Sequence, residues 1–462
     1  MIEQNTICAI STASGNGAIA LIRLSGSEAY SIVSKIFQSK NDSLDLSKVK
    51  PQTIHFGTIS DGETIIDEVL LSIFKAPNTF TGENIVEISC HGSIYIQQKI
   101  LQLLLKNGAQ LAQPGEFTQR AYMNGKMDLS QAEAVADLIA STNAAAHKIA
   151  MNQMRGGFSN ELKKLRAELL QFISLIELEL DFSEEDVEFA DRTQLLALIN
   201  KIETIISALI KSFELGNAIK NGVPVAIVGE PNVGKSTLLN AILNEDKAIV
   251  SDIAGTTRDA IEDTFNYNGV AFRFIDTAGL RETTDTIESL GIERTYQKIN
   301  QAKVVLALFD AIDSNEKISL ELLKIFEKAG EDKQVILVRN KVDTSENDIV
   351  KIDNNNLFSQ VNISAKNKQN IDELLEEIGK AIRLDSLENN EVIVSNIRHM
   401  EALSLAFEAL ARAKDGMQMG ISNDFLAMDI REVIHHLAGI TGDEISTDEI
   451  LGNIFGHFCI GK

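Results

Sequence analysis

The octapeptide Gly229-Glu-Pro-Asn-Val-Gly-Lys-Ser236 constrains this chain more than any other stretch. It directly follows the apolar run Val223-Pro-Val-Ala-Ile-Val228 and precedes Thr237-Leu-Leu-Asn-Ala-Ile-Leu243, whose apolar spacing is helical. Strand, glycine loop and helix in that order predict the phosphate cradle of a P-loop nucleotide hydrolase. The glycines let backbone N–H groups converge on phosphate oxygens, and the helix N-terminus adds positive potential. Within this loop, Asn232, Val233, Gly234, Lys235, Ser236 and Thr237 are the candidate nucleotide contacts. Lys235 is placed to reach the β- and γ-phosphates, and the Ser236 hydroxyl to ligate magnesium.

The base is named by Asn340-Lys-Val-Asp343, which follows the apolar run Val335-Ile-Leu-Val-Arg339. The Asp343 carboxylate can accept two hydrogen bonds from the guanine edge, whereas adenine offers no matching donor pair. Beside Asn340, Lys341 and Asp343, the next strand leads into Ser364, Ala365 and Lys366, the expected support behind the guanine. Asp276, Thr277, Ala278 and Gly279 end the strand-like 271–275; Asp276 is expected near magnesium and the Gly279 N–H at the γ-phosphate. Between the phosphate loop and Asp276 lies the polar Gly255-Thr-Thr-Arg-Asp259, in the place of the first switch loop. Leu280 stands where Ras-like GTPases carry the glutamine that orients the attacking water, so another group must position it.

At 462 residues the chain has room for about three domains. Residues 1–118 read as mixed α/β, with strand-like 18–24 and 85–89 and a helix over 94–107. From Phe117 to Gly216 the pattern is helical. There Ser130-Gln-Ala-Glu133 predicts a capping-box start to one long helix that Gly156-Gly157 ends. A second amphipathic stretch runs over 161–180, followed by the acidic, solvated Glu184–Glu188. Strands over 223–228, 271–275, 303–309, 334–339 and 359–363 alternate with helices, which predicts a doubly wound, mostly parallel sheet. Helices return after 384. The expected architecture is multidomain: an α/β N-terminal domain (1–118), an all-α helical domain (119–215 with 384–462), and a Ras-like G domain (216–383) inserted into the helical one.

A formal charge of −23 argues against a broad basic surface that coats nucleic acid. Cys8, Cys90 and Cys459 lie far apart, with neither metal-type pairing nor a disulfide framework. No run of eighteen or more apolar residues suggests a membrane span, and residues 1–7 lack the features of a signal peptide. A cytoplasmic location is expected.

Taken together, Gly229–Ser236, Ser251-Asp-Ile-Ala-Gly-Thr-Thr-Arg-Asp259, Asp276-Thr-Ala-Gly-Leu-Arg281, Pro77-Asn-Thr-Phe-Thr-Gly-Glu83, His91-Gly92 and Cys459-Ile-Gly-Lys462 resemble the MnmE (TrmE) family of tRNA wobble-uridine-modifying GTPases, over essentially the whole chain. The resemblance implies a potassium-activated GTPase whose G domains dimerise. It maps potassium to Asn232, Ser251, Ile253 and Thr256, and magnesium to Ser236 and Thr257. The nucleotide set also takes in Asp252, Ala254 and Gly255. Glu288 matches the catalytic glutamate; Lys235 and Arg258 complete the catalytic set. A folate site holding a 5-formyl- or methylene-tetrahydrofolate maps to Arg23, Glu87, Lys126 and Lys462, with Glu83 close enough in sequence to be confused with Glu87. Cys459 is implied to be functionally relevant. A homodimer, a heterotetramer with the FAD-dependent partner MnmG, and a tRNA substrate are implied as well. Two other readings remain open: an RNA-binding regulatory GTPase of ribosome assembly, and a free-standing folate-dependent one-carbon transferase with an accessory GTPase.

Overall fold

The computed structural model describes residues 5–40, 45–181, 192–243, 263–275, 297–330, 333–344, 358–382, 392–443, 454–455, 458 and 460–461. They fall into two compact units, Met1–Ile139 with Gln153–Ser174 and Ile430–Lys462, and Ala140–Asn152 with Leu175–Asp429.

The first unit contains β1 (Ile7–Ile10), β2 (Ile19–Ser25), α1 (Ala29–Ser34), β3 (Phe37–Ser39), β4 (Thr53–Asp61), β5 (Thr64–Phe74), β6 (Ile85–His91), α2 (Ile94–Lys106), β7 (Gln110–Leu111), α3 (Glu116–Met123) and α4 (Leu129–Ala140). Its seven-stranded sheet has the order β3-β4-β5-β6-β2-β1-β7. All pairs are antiparallel except β1 with β7. Alternate residues such as Ile22, Leu24, Leu71, Ile73, Val86 and Ile88 form one core with Val33, Ile100 and Leu104 from α1 and α2. Arg23 and Glu87 occupy the intervening positions, paired across β2 and β6, and so point away from that core.

The helical stretch departs from the sequence expectation at its start. The capping box is Asp128 with Gln131, two residues before the expected one. Asp128 Oδ1 accepts from the Gln131 amide at 3.0 Å, and Gln131 Oε1 accepts from the Asp128 amide at 2.9 Å. Ser130 lies inside the first turn and donates to Asp128 at 2.8 Å; a charged acceptor binds the end N–H groups more strongly than a hydroxyl. The single long helix is two, because α5 (Ala144–Met154) has its own cap: Asn143 Oδ1 accepts from the Ala146 amide at 2.8 Å. Gly156, at φ +81°, ends α5, while Gly157 opens α6 (Gly157–Asp181) rather than ending anything. The acidic 184–188 stretch lies outside the described residues.

In the second unit come α7 (Arg192–Asn221), β8 (Val223–Val228), α8 (Lys235–Leu243), β9 (Thr264–Tyr267), β10 (Val270–Phe274), β11 (Val304–Asp310), α9 (Asn315–Ala329), β12 (Gln334–Asn340), β13 (Ser359–Asn362), α10 (Ile371–Ala381) and α11 (Ile397–Met419), with α12 (Asn423–Thr441) entered at its end. The six-stranded sheet runs β13-β12-β11-β8-β10-β9. Every pair is parallel except the hairpin β9–β10. Its two-residue Asn268-Gly269 turn takes positive φ at both positions, the geometry that matches strand twist. β11 is almost wholly buried, as a central parallel strand covered on both faces must be. One core joins Val225, Ile227 and Leu306 to Leu238 and Leu375; the other joins Ala226, Val305 and Leu337 to Ile318 and Leu322. Helices therefore cover both faces, and the expected doubly wound G-type sheet is present.

By length and composition α7 qualifies as a membrane span among the described residues. Its stripe of Leu195, Ile199, Ile202, Ile206 and Leu209 is buried, and α7 packs on α11. Ser212 Oγ there accepts from the Val394 amide at 3.0 Å. α7 is a core helix.

Candidate functional site

The phosphate loop is set by two close backbone approaches. At Gly229 (φ +154°) a Cβ would lie 2.2 Å from the Leu308 carbonyl, and at Gly234 (φ +100°) 2.3 Å from Asn340 Nδ2. Neither position admits a side chain. Asn232, exposed, takes a left-handed φ of +64° at the bend. α8 starts at Lys235, so Ser236 and Thr237 occupy its first turn, where unpaired N–H groups and the dipole favour an anion. Lys235 Nζ donates to the carbonyls of Gly229 (2.9 Å) and Glu230 (2.7 Å). Burial, and then the Lys298 charge, press its pKa below the ordinary lysine value. A cation so disfavoured at a helix N-terminus is a partner for phosphate, which fits nucleotide at this loop.

Asn340 ties that loop to the base-reading side. Only 2% exposed, it donates through Nδ2 to the Val233 carbonyl at 2.8 Å and accepts at Oδ1 from the Ala365 amide at 2.9 Å. Three loops expected from the sequence to carry nucleotide contacts thus meet on one side chain. Asp343 sits exposed in the short turn Val342–Thr344. The Ser364 hydroxyl, with lesser help from a backbone hydrogen bond, Lys366 and Asn367, outweighs burial and holds its carboxyl below the usual range. It is therefore ionised at neutral pH and acceptor-only, as a guanine reader must be. Lys341 (φ +66°) is held by Asp310 Oδ2 at 2.7 Å. Asp310 escaped the sequence reading, since nothing about an acid ending a buried strand marks it as the partner of a residue further on.

Ser251, Asp252, Ile253, Ala254, Gly255, Thr256, Thr257 and Arg258 lie outside the described residues, as do Asp276, Thr277, Ala278, Gly279, Glu288, Cys459 and Lys462.

In the first unit, Arg23 and Glu87 form an ion pair at 2.7 Å, with side chains 22% and 19% exposed. The rings of Phe80 and Phe117 flank the Arg23 guanidinium at 5.9 and 5.8 Å from their centroids. Lys126 Nζ donates to the Pro77 carbonyl at 2.9 Å, in the segment that carries Phe80. The two glutamates differ in their partners: Glu83 bonds to Ser25 at 2.6 Å and pairs with buried Arg120 at 3.2 Å, which also takes Glu116. Glu87 alone of the two faces Arg23. The arrangement offers a flat cation, a carboxylate and aromatic faces, a set suited to a planar heterocycle with an anionic tail. Sequence reasoning missed Phe80, Phe117 and Arg120; an aromatic inside Pro77–Glu83 was the available signal for the first. Ser11 Oγ donates to the Gly461 carbonyl at 3.0 Å.

Cys8 and Cys90 are buried, and burial pushes their thiols up to about 12 and about 11, which leaves them protonated and unreactive. Among the described residues no group of three or more His, Cys, Asp or Glu could hold a metal.

Two family profiles match the chain: "GTP-binding protein TrmE N-terminus" over residues 6–126 and "MnmE helical domain" over 129–459. The chain is 58% identical over 468 residues to the tRNA modification GTPase MnmE of Bacteroides thetaiotaomicron, covering 100% of both. It is 55% identical over 470 residues to that of Flavobacterium johnsoniae, again covering 100% of both. Among solved structures, the G domain of the T. maritima FeoB iron transporter aligns at 30% identity over 35% of this chain and 99% of that one, with a TM-score of 0.26. On full-length identity and both profiles, the chain belongs to the MnmE (TrmE) family of tRNA modification GTPases.

Proposed function

We propose that this chain is a cytoplasmic GTP hydrolase that drives modification of carbon 5 of the tRNA wobble uridine, adding an aminomethyl or carboxymethylaminomethyl group together with the FAD-dependent partner MnmG. The observation that carries the GTP reading is Asn340, whose two hydrogen bonds lock the phosphate loop, the base-reading loop and the Ser364–Lys366 loop together. Asp343 takes the guanine edge, and Lys235 leaves its two loop carbonyls for phosphate oxygens. Ser236 and Thr257 would hold magnesium, and Asn232, Ser251, Ile253 and Thr256 potassium. Bound there, these cations would neutralise charge developing on the transferred phosphoryl group, as an arginine finger does elsewhere. Glu288 orients the attacking water in place of the glutamine replaced by Leu280, and Arg258 belongs to the same catalytic set.

Arg23, Glu87, Lys126 and Lys462 would bind the tetrahydrofolate one-carbon donor at a homodimer interface, with Cys459 near. The three-part division 1–118, 119–215 with 384–462, and 216–383 belongs to this reading. So does a tRNA held largely by the partner, which suits a chain of charge −23. Mass analysis of wobble uridines after gene deletion tests the proposal. Loss of the carbon-5 substituent is the expected result, and unchanged nucleosides would leave a regulatory GTPase in its place.

A further inference from the structure

A chain of charged side chains joins the phosphate loop to the base-reading loop around the turn between β11 and α9. Lys317 Nζ bonds to Glu230 Oε2 of the phosphate loop at 2.7 Å and to Asp313 Oδ1 at 2.8 Å. Asp313 Oδ2 accepts from the Asp310 amide at 3.1 Å, and Asp310 Oδ2 holds Lys341 at 2.7 Å. The Ala311 amide donates to the Asn340 carbonyl at 2.8 Å. The same short turn thus grips one end of each loop. Buried Arg339 also reaches it, through Asn315.

Lys317 is out of place by local rules. It is the third residue of α9 after the cap Ser314, whose hydroxyl accepts the Lys317 amide at 3.3 Å. A glutamate there would complete a capping box, while a lysine opposes the helix dipole. Conflicts of this kind concentrate at sites kept for another reason. Asp313 and Glu230 offset the misplaced charge and hold its pKa above the ordinary lysine value.

We infer that Lys317 is a positioning residue for the nucleotide site: it fastens the Glu230 end of the phosphate loop to the turn that also holds Lys341, and so slows nucleotide release. The inference rests on the guanine-nucleotide reading above. Stopped-flow release of N-methylanthraniloyl-GDP from the full chain tests it. Failure of the wild-type chain to bind that probe would overturn the nucleotide reading itself, a result separate from any effect of Lys317.

Given binding, Lys317→Ala is expected to release the probe about fivefold faster, the scale of a well-formed ion pair on a partly exposed surface. Lys317→Arg should restore the rate to within about twofold. Glu230→Gln, which spares the turn, should release about threefold faster; slower release there would mean that general charge acts on the phosphates, and would overturn the latch. The Glu230→Gln/Lys317→Ala double variant should be no faster than Lys317→Ala, since both cut one contact. Multiplying effects, or an unchanged rate in Lys317→Ala, would also overturn it.

Discussion

On the function proposed above, the nucleotide loops and the Arg23 cluster would each fix a charged ligand, and they are built by opposite means. At the phosphate loop the contacts are made by backbone: glycines at 229 and 234 admit no Cβ, a helix begins at Lys235, and one buried asparagine ties the parts. At Arg23 the contacts are side chains brought together by strand register, with Glu87 opposite and Phe80 and Phe117 on the flanks. Backbone cradles need particular residues in particular order and so leave a contiguous string. Side-chain clusters leave none. The nucleotide site should therefore fail sharply when one group changes, and the Arg23 cluster more gradually.

The sharpest break is at Asp343. Asp343→Asn should exchange the preference for GTP for xanthosine triphosphate, and weaken GTP use by about 10⁴-fold, because the guanine donors then face a donor. Hydrolysis rates with both nucleotides check it; a variant still selective for GTP removes Asp343 from base reading. Asn340→Ala comes next. It deprives the Val233 carbonyl and the Ala365 amide of buried partners, a loss of about 2–4 kcal/mol in chemical denaturation. If stability holds, Asn340 does not tie the loops.

On the other side of the comparison, Arg23→Met keeps the stem between the rings but leaves Glu87 without its cation. It should weaken binding of 5-formyltetrahydrofolate about tenfold, with about 1 kcal/mol lost in stability for a pair this exposed. Titration calorimetry that finds equal affinity would separate Arg23 from folate.

The smallest effect concerns the cap at Asp128. Burial raises its pKa, but Lys163, Ser130 and Ser159 outweigh burial and leave it lowered. A carboxyl depressed in the folded state contributes stability that is complete above its unfolded value near about 4 and is lost as pH falls through the folded one. Asp128→Asn keeps a capping acceptor without the charge. It should cost about 1 kcal/mol at neutral pH, allowing for the half-exposed Lys163, and flatten the acid limb of the stability profile. An unchanged acid limb would remove the charge from the account.

The two regions also differ in how far they could be read before the fold was known. The order of the phosphate loop, Asn340–Asp343 and Ser364–Lys366 follows from spacing alone, because each follows a strand, two of them apolar. The five strands drawn for this domain agree with β8 and β10 to β13 to within a residue or so at their ends. The hairpin strand β9 was too short for an apolar run, though Asn268-Gly269 signalled its turn. What spacing does not carry is pairing across the chain. Glu87 meets Arg23 across 64 positions through strand register, and Phe117 comes from a helix after the sheet, placed by packing. Capping showed the same limit locally. Asp128 caps the helix start expected at Ser130, and Asn143 starts a second helix inside the stretch expected to be one, since several polar residues in a row can each cap.

The proposed function is that the guanine site of this chain drives wobble-uridine modification. Its most direct test is to return the gene to a deletion strain as the wild type and as Asp343→Asn, then measure carbon-5-substituted wobble uridines by mass spectrometry. The account predicts full restoration by the wild type and none above the deletion background by Asp343→Asn at equal protein level. Full restoration by Asp343→Asn would contradict it.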